Sequence, residues 1–402
     1  MKNRIKQYLL AASMCVGLTA CSDFFEPIPG VQFGLDETFA SKQRTEEYLN
    51  NVYSYVREVT DAIHPNTYGG IFTEASLDGA NRWNKTYAEW TNGSFNSASA
   101  QASEYFSKYY QAIAKASTFI QNVDKCTEAA ASTRGKWKSE ARALRAYYYF
   151  ELLRLYGPIP LDASLEELIK ERNSVDECVN FIATELQSAI DSGDLLQRAG
   201  KANLGRMDVA TCMALKAKLY LYWASPLFNG NTDQASVKNK DGKQLFPQTE
   251  DHSKWTQARD AYERFMTFAT GQGYKLTEVY TNGKLDPYAS CRAAGEFFTT
   301  TWEAVDELIF VKLRDLYDYT YWVCPKFTDF QDTDVTGGGG YYTTQETVDL
   351  FFTKDGLTIE EDPGYDKFEG VPGANNFTSG RYYDPNNPSR LYFDADKSKV
   401  LK

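Results

Sequence analysis

Between residues 36 and 271, apolar side chains return at spacings near 3.6 residues in six successive runs. Each run predicts an amphipathic helix with one face turned to a core. Leu49, Val52, Val56 and Val59 share a face in the first; Phe106, Tyr109, Ile113, Ala116, Ile120 and Val123 do so in the second. The third is expected over Lys136–Tyr156, stopping at Gly157-Pro158, where proline cannot continue a helix. Ser174-Val-Asp-Glu177 has the spacing of a capping box and opens the fourth, which carries Val175, Val179, Ile182, Leu186 and Ile190 on one stripe. Ala210, Met213, Ala214, Ala217, Leu221 and Ala224 mark the fifth, ending at Pro226. Trp255, Ala258, Tyr262, Phe265 and Phe268 mark the sixth, ending at Gly271. The expected fold is all-α.

Two stretches break this pattern. Residues 61–101 are rich in Gly, Asn and aromatics, and after residue 272 Gly, Pro, Asp, Asn and Tyr become frequent while the periodic runs shorten. Gly337 to Gly340 reads as a flexible loop, and Thr343-x-x-Glu346 as the cap of a short helix with Val348, Leu350 and Phe351. The last fifty residues, punctuated by Pro363, Pro372, Pro385 and Pro388, read as loop. The expected division is therefore a helical region at 36–271 and an irregular, loop-rich region at 272–402.

The N-terminus has a different pattern. Lys2, Arg4 and Lys6 precede a short apolar run from Tyr8 to Leu18, closed by Thr19-Ala20-Cys21. That layout is a secretory signal, and the run is too short for a permanent membrane span. Cysteine at the closing position is what a bacterial lipoprotein signal requires. Residues 1–20 are thus expected to be removed and Cys21 to be acylated, with 21–35 forming a Pro-punctuated tether.

Composition excludes some classes. The formal net charge is −11, and loss of the leader's Lys2, Arg4 and Lys6 makes the remainder more acidic, so nucleic acid is not an expected partner. Cys126, Cys178, Cys212, Cys291 and Cys324 are odd in number and widely spaced, without a C-x-x-C pair, so neither a zinc site nor a disulfide framework follows. His64 and His252 stand far apart. Asp329, Asp332 and Asp334 lack the glycine and distal glutamate of a calcium loop. No metal or cofactor is expected. Aromatics are abundant: 28 Tyr, 24 Phe and 7 Trp make up 15% of the chain. Most are expected to pack between helices, leaving some for a ligand surface.

Alanines recur on the inner faces of the third, fifth and sixth helices, and Trp255-x-x-Ala258 followed by Ala261-Tyr262 is a fragment of the tetratricopeptide pattern. The third helix reads Glu140-Ala-Arg142-Ala-Leu-Arg145-Ala-Tyr147-Tyr-Tyr-Phe150, then Leu153-x-x-Tyr156-Gly157-Pro158-Ile-Pro160-Leu161. With Ala214-Leu215-Lys216-Ala217-Lys-Leu219 to Ser225-Pro226-Leu-Phe-Asn229, and Thr343-Thr-Gln345-Glu346-x-Val348-Asp349-Leu350-Phe351, it resembles the SusD/RagB family. The resemblance runs in one order across about 21 to 355. It implies tetratricopeptide-like helix pairs under an irregular second part, on an outer-membrane lipoprotein of the Bacteroidetes kind. It also implies a non-catalytic role, binding a nutrient, usually an oligosaccharide, for a SusC-type TonB-dependent barrel transporter. Family chains run on well past the position of Phe351. Here Asn387-Pro388-Ser389-Arg390 only distantly matches the family's next segment, which reads as a truncated or divergent member.

A sugar presents a C–H face and a rim of hydroxyls, and is met by flat aromatic rings flanked by planar polar groups. Asp78, Asn81, Arg82, Trp83, Tyr87 and Trp90 offer that chemistry in one loop, which the resemblance also marks as a ligand region. Trp302 and the alternating Tyr317, Tyr319 and Tyr321 with Trp322 form a second set. Arg142, Arg145, Glu140 and Glu151 lie on the signature helix and are expected to pair within the core. Two rival functions stay open from sequence: a surface glycosidase, which needs two carboxylates across a cleft, and a helical protein adaptor without a small ligand.

Overall fold

The computed structural model describes residues 34–56, 80–81, 94–161, 171–296, 306–312, 341–342, 383–384 and 387–391, with isolated positions between 347 and 361. The chain divides into two compact units: residues 1–56 with 105–311, and 57–104 with 312–402.

The first unit holds the helices: α1 (Leu35–Ala40), α2 (Lys42–Tyr53), α3 (Ala100–Asn122, within this unit from Tyr105), α4 (Ala131–Tyr156), α5 (Val175–Asp191), α6 (Val209–Ala224), α7 (Ser253–Gly271) and α8 (Pro287–Glu296). Helices α4 to α7 pack in sequence order, each against the next. Ser139, in the first half of α4, bonds Ser192 just past the end of α5, and Asp176 at the start of α5 bonds Trp223 at the end of α6. Lys254 at the start of α7 reaches the same Asp176. The first two contacts bring the end of one helix to its neighbour's earlier part, and the third sets the start of α7 beside the start of α5, so neighbouring helices run antiparallel. The all-α, tetratricopeptide-like expectation describes this unit.

Several predicted boundaries shift for physical reasons. Helix α4 starts five residues before Lys136, with Gly135 inside it; a Cβ there would sit 2.7 Å from the Asp194 carboxyl group, so glycine marks a close approach rather than a helix start. On α3 the buried stripe is Tyr105, Tyr109, Ala112, Ile113, Ala116, Phe119 and Val123. Phe106 turns outward and packs edge-on against Tyr156, at 5.4 Å between ring centroids. On α6, Leu221 is exposed while Leu219 is buried, and on α7 Trp255 is exposed. The Ser174 capping box forms as predicted: Ser174 Oγ accepts from the Glu177 N–H at 3.3 Å, and Glu177 Oε2 accepts from the Ser174 N–H at 2.7 Å.

Helix α4 is buried around most of its circumference from Trp137 to Leu153, as a helix enclosed by others is. Tyr148, Tyr149, Phe150, Leu152 and Leu153 are essentially inaccessible. Each such side chain contributes about 1.5–3 kcal/mol through burial. Tyrosines serve as helix spacers: Tyr109 stacks on Tyr148 at 6.1 Å, Tyr149 meets Phe181 edge-on at 5.2 Å, and Phe150 meets Tyr222 edge-on at 5.6 Å.

After α7 the chain leaves the stack and returns to it. The excursion contains a hairpin, with β2 (Tyr280–Thr281) antiparallel to β3 (Lys284–Leu285), and α8. Asn282 and Gly283 at its tip both have positive φ, 53° and 75°, as a two-residue type I′ turn requires. Its ends are tied together: Lys275 N–H donates to Asp306 O at 3.3 Å, and Arg198 Nη2 reaches Asp306 at 2.9 Å. Gly205, at φ +83°, has the Val311 carbonyl oxygen 2.7 Å from where a Cβ would stand, so the returning strand fits only against glycine.

In the second unit, β1 (Ala80–Asn81) pairs antiparallel with β4 (Tyr341–Tyr342), and β5 (Tyr383–Asp384) with β6 (Asn387–Leu391). The Asn387-Pro388-Ser389-Arg390 segment, expected as loop, is part of β6.

Asp208 links several of these parts. Fully buried at the N-cap of α6, it accepts from the Thr211 N–H at 2.7 Å and the Ala199 N–H at 2.6 Å, with the Tyr274 hydroxyl at 3.5 Å. Burial and then the Asp208 carboxylate push the Tyr274 phenol up to about 12. Asp208→Ala leaves two buried N–H donors unpaired, so urea denaturation should show a loss of about 2–4 kcal/mol, with Asp208→Asn recovering part of it. A loss within about 0.5 kcal/mol would show that water reaches the cap.

Candidate functional site

The charged residues of the signature helix come first, because three of them are buried in an apolar setting and each needs a partner. Glu140 accepts from Arg206 Nε and from the Tyr53 hydroxyl, both at 2.9 Å. The Tyr53 hydroxyl in turn accepts from the Met207 N–H at 2.9 Å, and Arg206 lies over the Tyr53 ring at 5.2 Å. Arg145 forks onto Glu185, with Nε at 2.8 Å and Nη2 closer, while Nη1 donates to Ser117 Oγ at 3.1 Å. Glu151 accepts from Arg154 Nη1 at 2.8 Å, and Arg154 Nη2 reaches the Tyr222 hydroxyl at 3.1 Å. These groups tie α2, α3, α5, α6 and the 201–208 loop to α4. Most of their polar atoms are turned to one another, which is structural pairing, while Glu151 Oε2 is buried without a hydrogen bond among the described residues.

Burial is the larger influence on Glu140. It raises the carboxyl above the ordinary glutamate value although Arg206 and Tyr53 pull the other way. The Tyr53 phenol is raised well above its ordinary value, first by burial and then by the Glu140 charge.

The ligand candidates fall elsewhere. Cys21, Asp78, Arg82, Trp83, Tyr87, Trp90, Trp302, Tyr319, Tyr321 and Trp322 lie outside the described residues. Asn81 is in β1, where it is the register partner of Tyr341. This pairing joins the first candidate loop to the segment beside the glycine run, a juxtaposition the sequence did not suggest. The segments 57–104 and 312–402, which carry every ligand candidate except Trp302, fall in one unit.

On the helical unit, an open groove of about 780 Å³ lies along α6 and α7, lined by Met213, Asp260, Glu263, Arg264, Thr267 and Phe268. The sequence reading passed over it. Met213 and Phe268 were assigned to the core and are only half-buried. Cys126, Cys178 and Cys212 are buried free thiols, and burial lifts the Cys178 thiol to about 12. Cys291 is exposed. His252 is at the surface, with Nδ1 3.4 Å from Glu250. Among the described residues, no group of His, Cys, Asp and Glu could hold a metal, and no helix is long and apolar enough to cross a membrane.

The stack of antiparallel helix pairs closed by buried ion pairs defines the class of the first unit, a helical-repeat scaffold. Residues 32–221 match the SusD-like family model described as starch-binding and associating with the outer membrane. A SusD-like protein of Bacteroides ovatus is 27% identical over 171 residues, which cover 40% of this chain and 30% of that protein. A solved SusD-like protein from Bacteroides fragilis has a TM-score of 0.60 at 19% identity, over 81% of this chain and 57% of that one. The surface glycan-binding protein A from Bacteroides uniformis has a TM-score of 0.55 at 16% identity, over 77% of this chain and 61% of that one. The chain thus spans less than two thirds of the length of each of these relatives. Through its helical region, residues 32–221, it is similar to the SusD-like family.

The Glu140 cluster makes a signed prediction. A raised folded-state value means that the folded chain binds this proton more tightly than the unfolded chain. The resulting stabilisation is full below the unfolded value, about 4.3, and is lost as pH rises through the folded value. In urea titrations at several pH values, the wild type should lose stability relative to Glu140→Gln as pH rises from about 4 towards neutrality. A gain by the wild type over that range would mean that pairing with Arg206 outweighs burial.

Proposed function

We propose that this protein is a non-catalytic, surface glycan-binding lipoprotein that passes oligosaccharides to a SusC-type TonB-dependent outer-membrane transporter. The observation that carries the reading is the family match over residues 32–221, whose description is starch binding in association with the outer membrane. The ordered matches of the signature helix and its downstream segments support it. Lipid attachment at Cys21, after removal of residues 1–20, would hold the chain at the membrane, and a Pro-punctuated tether at 21–35 would let the folded part reach a barrel partner.

The ligand contacts in this reading are Asp78, Asn81, Arg82, Trp83, Tyr87 and Trp90, with Trp302, Tyr319, Tyr321 and Trp322 as the second set. Tryptophan and tyrosine rings would take the C–H faces of sugar rings, and Asp, Asn and Arg would fix the hydroxyls. The helical region at 36–271 would be the scaffold and 272–402 the variable part. A binding role is favoured over hydrolysis because the acidic residues of the signature helix, Glu140 and Glu151, are committed to Arg206 and Arg154 inside the core.

Titration with a panel of neutral oligosaccharides should show saturable binding with no released sugar on prolonged incubation. Trp83→Ala and Trp322→Ala should each weaken binding by about tenfold or more, since stacking of this kind contributes on the order of 1–2 kcal/mol, while thermal unfolding stays unchanged. Unchanged affinity in both variants would remove these residues from the site. Release of sugar, abolished by one carboxylate substitution, would replace the reading with a glycosidase. Mild-detergent capture of the native lipoprotein should bring down a TonB-dependent barrel, and its absence under conditions that preserve other barrel complexes would remove the delivery step.

A further inference from the structure

The α6–α7 groove has an imbalance of charge. Asp260 and Glu263 both line it, and both are engaged by Arg259: Nη2 is 2.7 Å from Asp260 Oδ1, and Nε is 3.7 Å from Glu263 Oε1. Arg264 lines the same groove, one turn from Asp260, at the spacing where an ion pair with it would ordinarily form. Because Arg259 holds that carboxylate, Arg264 has no ion pair or hydrogen bond among the described residues. It stands exposed at the groove, next to Lys216 of α6. Lys216 is half-buried, donates to Gln187 Oε1 at 2.7 Å and lies 5.9 Å from the Tyr220 ring centroid. Burial, and after it the Arg264 guanidinium, hold the Lys216 ammonium below its ordinary range. Two cations with one free fork therefore adjoin the apolar patch of Met213 and Phe268.

We propose that this groove is a second binding site, separate from the aromatic loops of the other unit, and that it takes a carboxylate-bearing sugar. A guanidinium without a counter-ion binds a carboxylate through two parallel N–H donors, a geometry that an ammonium cannot supply. Met213 and Phe268 offer a half-buried apolar surface to the C–H face of the ring. The Thr267 hydroxyl and the outward oxygens of Asp260 and Glu263 accept or exchange hydrogen bonds with ring hydroxyls. A neutral sugar uses only the second part of this set, and a simple anion only the first. The combination favours a ring that carries its own acid, and the open groove admits such a unit within a longer chain.

The test is isothermal titration of the full chain with a galacturonate oligomer and with the matching neutral galactose oligomer. The expected result is tighter binding of the acidic oligomer, weakened by added salt. Arg264→Gln should lower its affinity by about tenfold or more, as loss of a charge-assisted fork does. Arg264→Lys should fall between, and neutral-glycan binding lost in Trp83→Ala should be untouched by either. Arg264 is exposed and has no pairing among the described residues, so thermal unfolding should not move and will report any misfolded variant. Equal binding of the two oligomers by the wild type, or unchanged acidic-oligomer binding in Arg264→Gln, overturns the proposal and leaves the neutral-glycan reading standing. Competition by inorganic sulfate as effective as by the oligomer would also overturn it, since it would reduce the site to an unspecific anion contact.

Discussion

Charge buried inside an apolar helix is the constraint on which the helical unit depends. Glu140, Arg145 and Glu151 occupy three levels of α4 among side chains such as Tyr148 and Leu152 that exclude water. A charge in that setting is strongly unfavourable unless a partner is brought to it. For Glu140 and Arg145 the partner comes from another part of the chain, the 201–208 loop and α2 for the first and α5 and α3 for the second, while Glu151 pairs within α4 with Arg154, which itself reaches Tyr222 of α6. Hydrophobic burial would accept many relative rotations of these helices. The ion pairs accept one, because a helix turned by a residue would leave a charge buried without its counterpart. They contribute little net stability and much geometric definition, and the seating of α5, α6 and the 201–208 loop against α4 rests on them.

The same logic explains the abundance of tyrosine. A helix packed on all sides needs wide, flat side chains to fill the spaces between axes, yet the spaces also contain backbone carbonyls. Tyr148 fills such a space against Tyr109 while its hydroxyl bonds the carbonyl of Val52. Tyr110 does the same with the carbonyl of Pro160. Phenylalanine would take this hydroxyl donor from both carbonyls, although Val52 O also accepts from the Tyr55 N–H at 3.3 Å. The aromatic richness that suggested a ligand surface is thus, within the helical unit, mainly a packing device.

Legibility from sequence followed the range of the interactions concerned. The capping box at Ser174 and the stop at Gly157-Pro158 are local, and they were readable because backbone chemistry within four residues decides them. The inner stripe of α3 was read one position off at Phe106, because a ring can turn to meet Tyr156 from a helix distant in sequence. The start of α4 is expected at Lys136 and lies earlier, with Gly135 inside the helix, because the Asp194 contact that requires this glycine lies 59 residues on. The hairpin at 280–285 sits in a region whose patterns suggest only loop, although Asn282-Gly283 carried its signal plainly. Arg264 could not have been found at all: the rule of four-residue spacing assigns it to Asp260, and only the geometry shows that Arg259 has taken that partner. The aromatic loops were chosen on side-chain chemistry, and the one such residue in a described element, Asn81, turned out to be paired in register with Tyr341.

The excursion between Lys275 and Asp306 has a consequence for how such chains diversify. Its two ends are fastened to each other and to Arg198, and its tip is a two-residue turn that makes no demand on the stack. The entropy of closing a loop grows only slowly with length, so residues added at Asn282-Gly283 would cost the helical unit little. Adding the same residues between α5 and α6 would separate Asp208 from Ala199 and disturb a buried cap. The scaffold therefore has a graft point: lineages could lengthen, shorten or redecorate the hairpin while the ion pairs around α4 keep the helices in place.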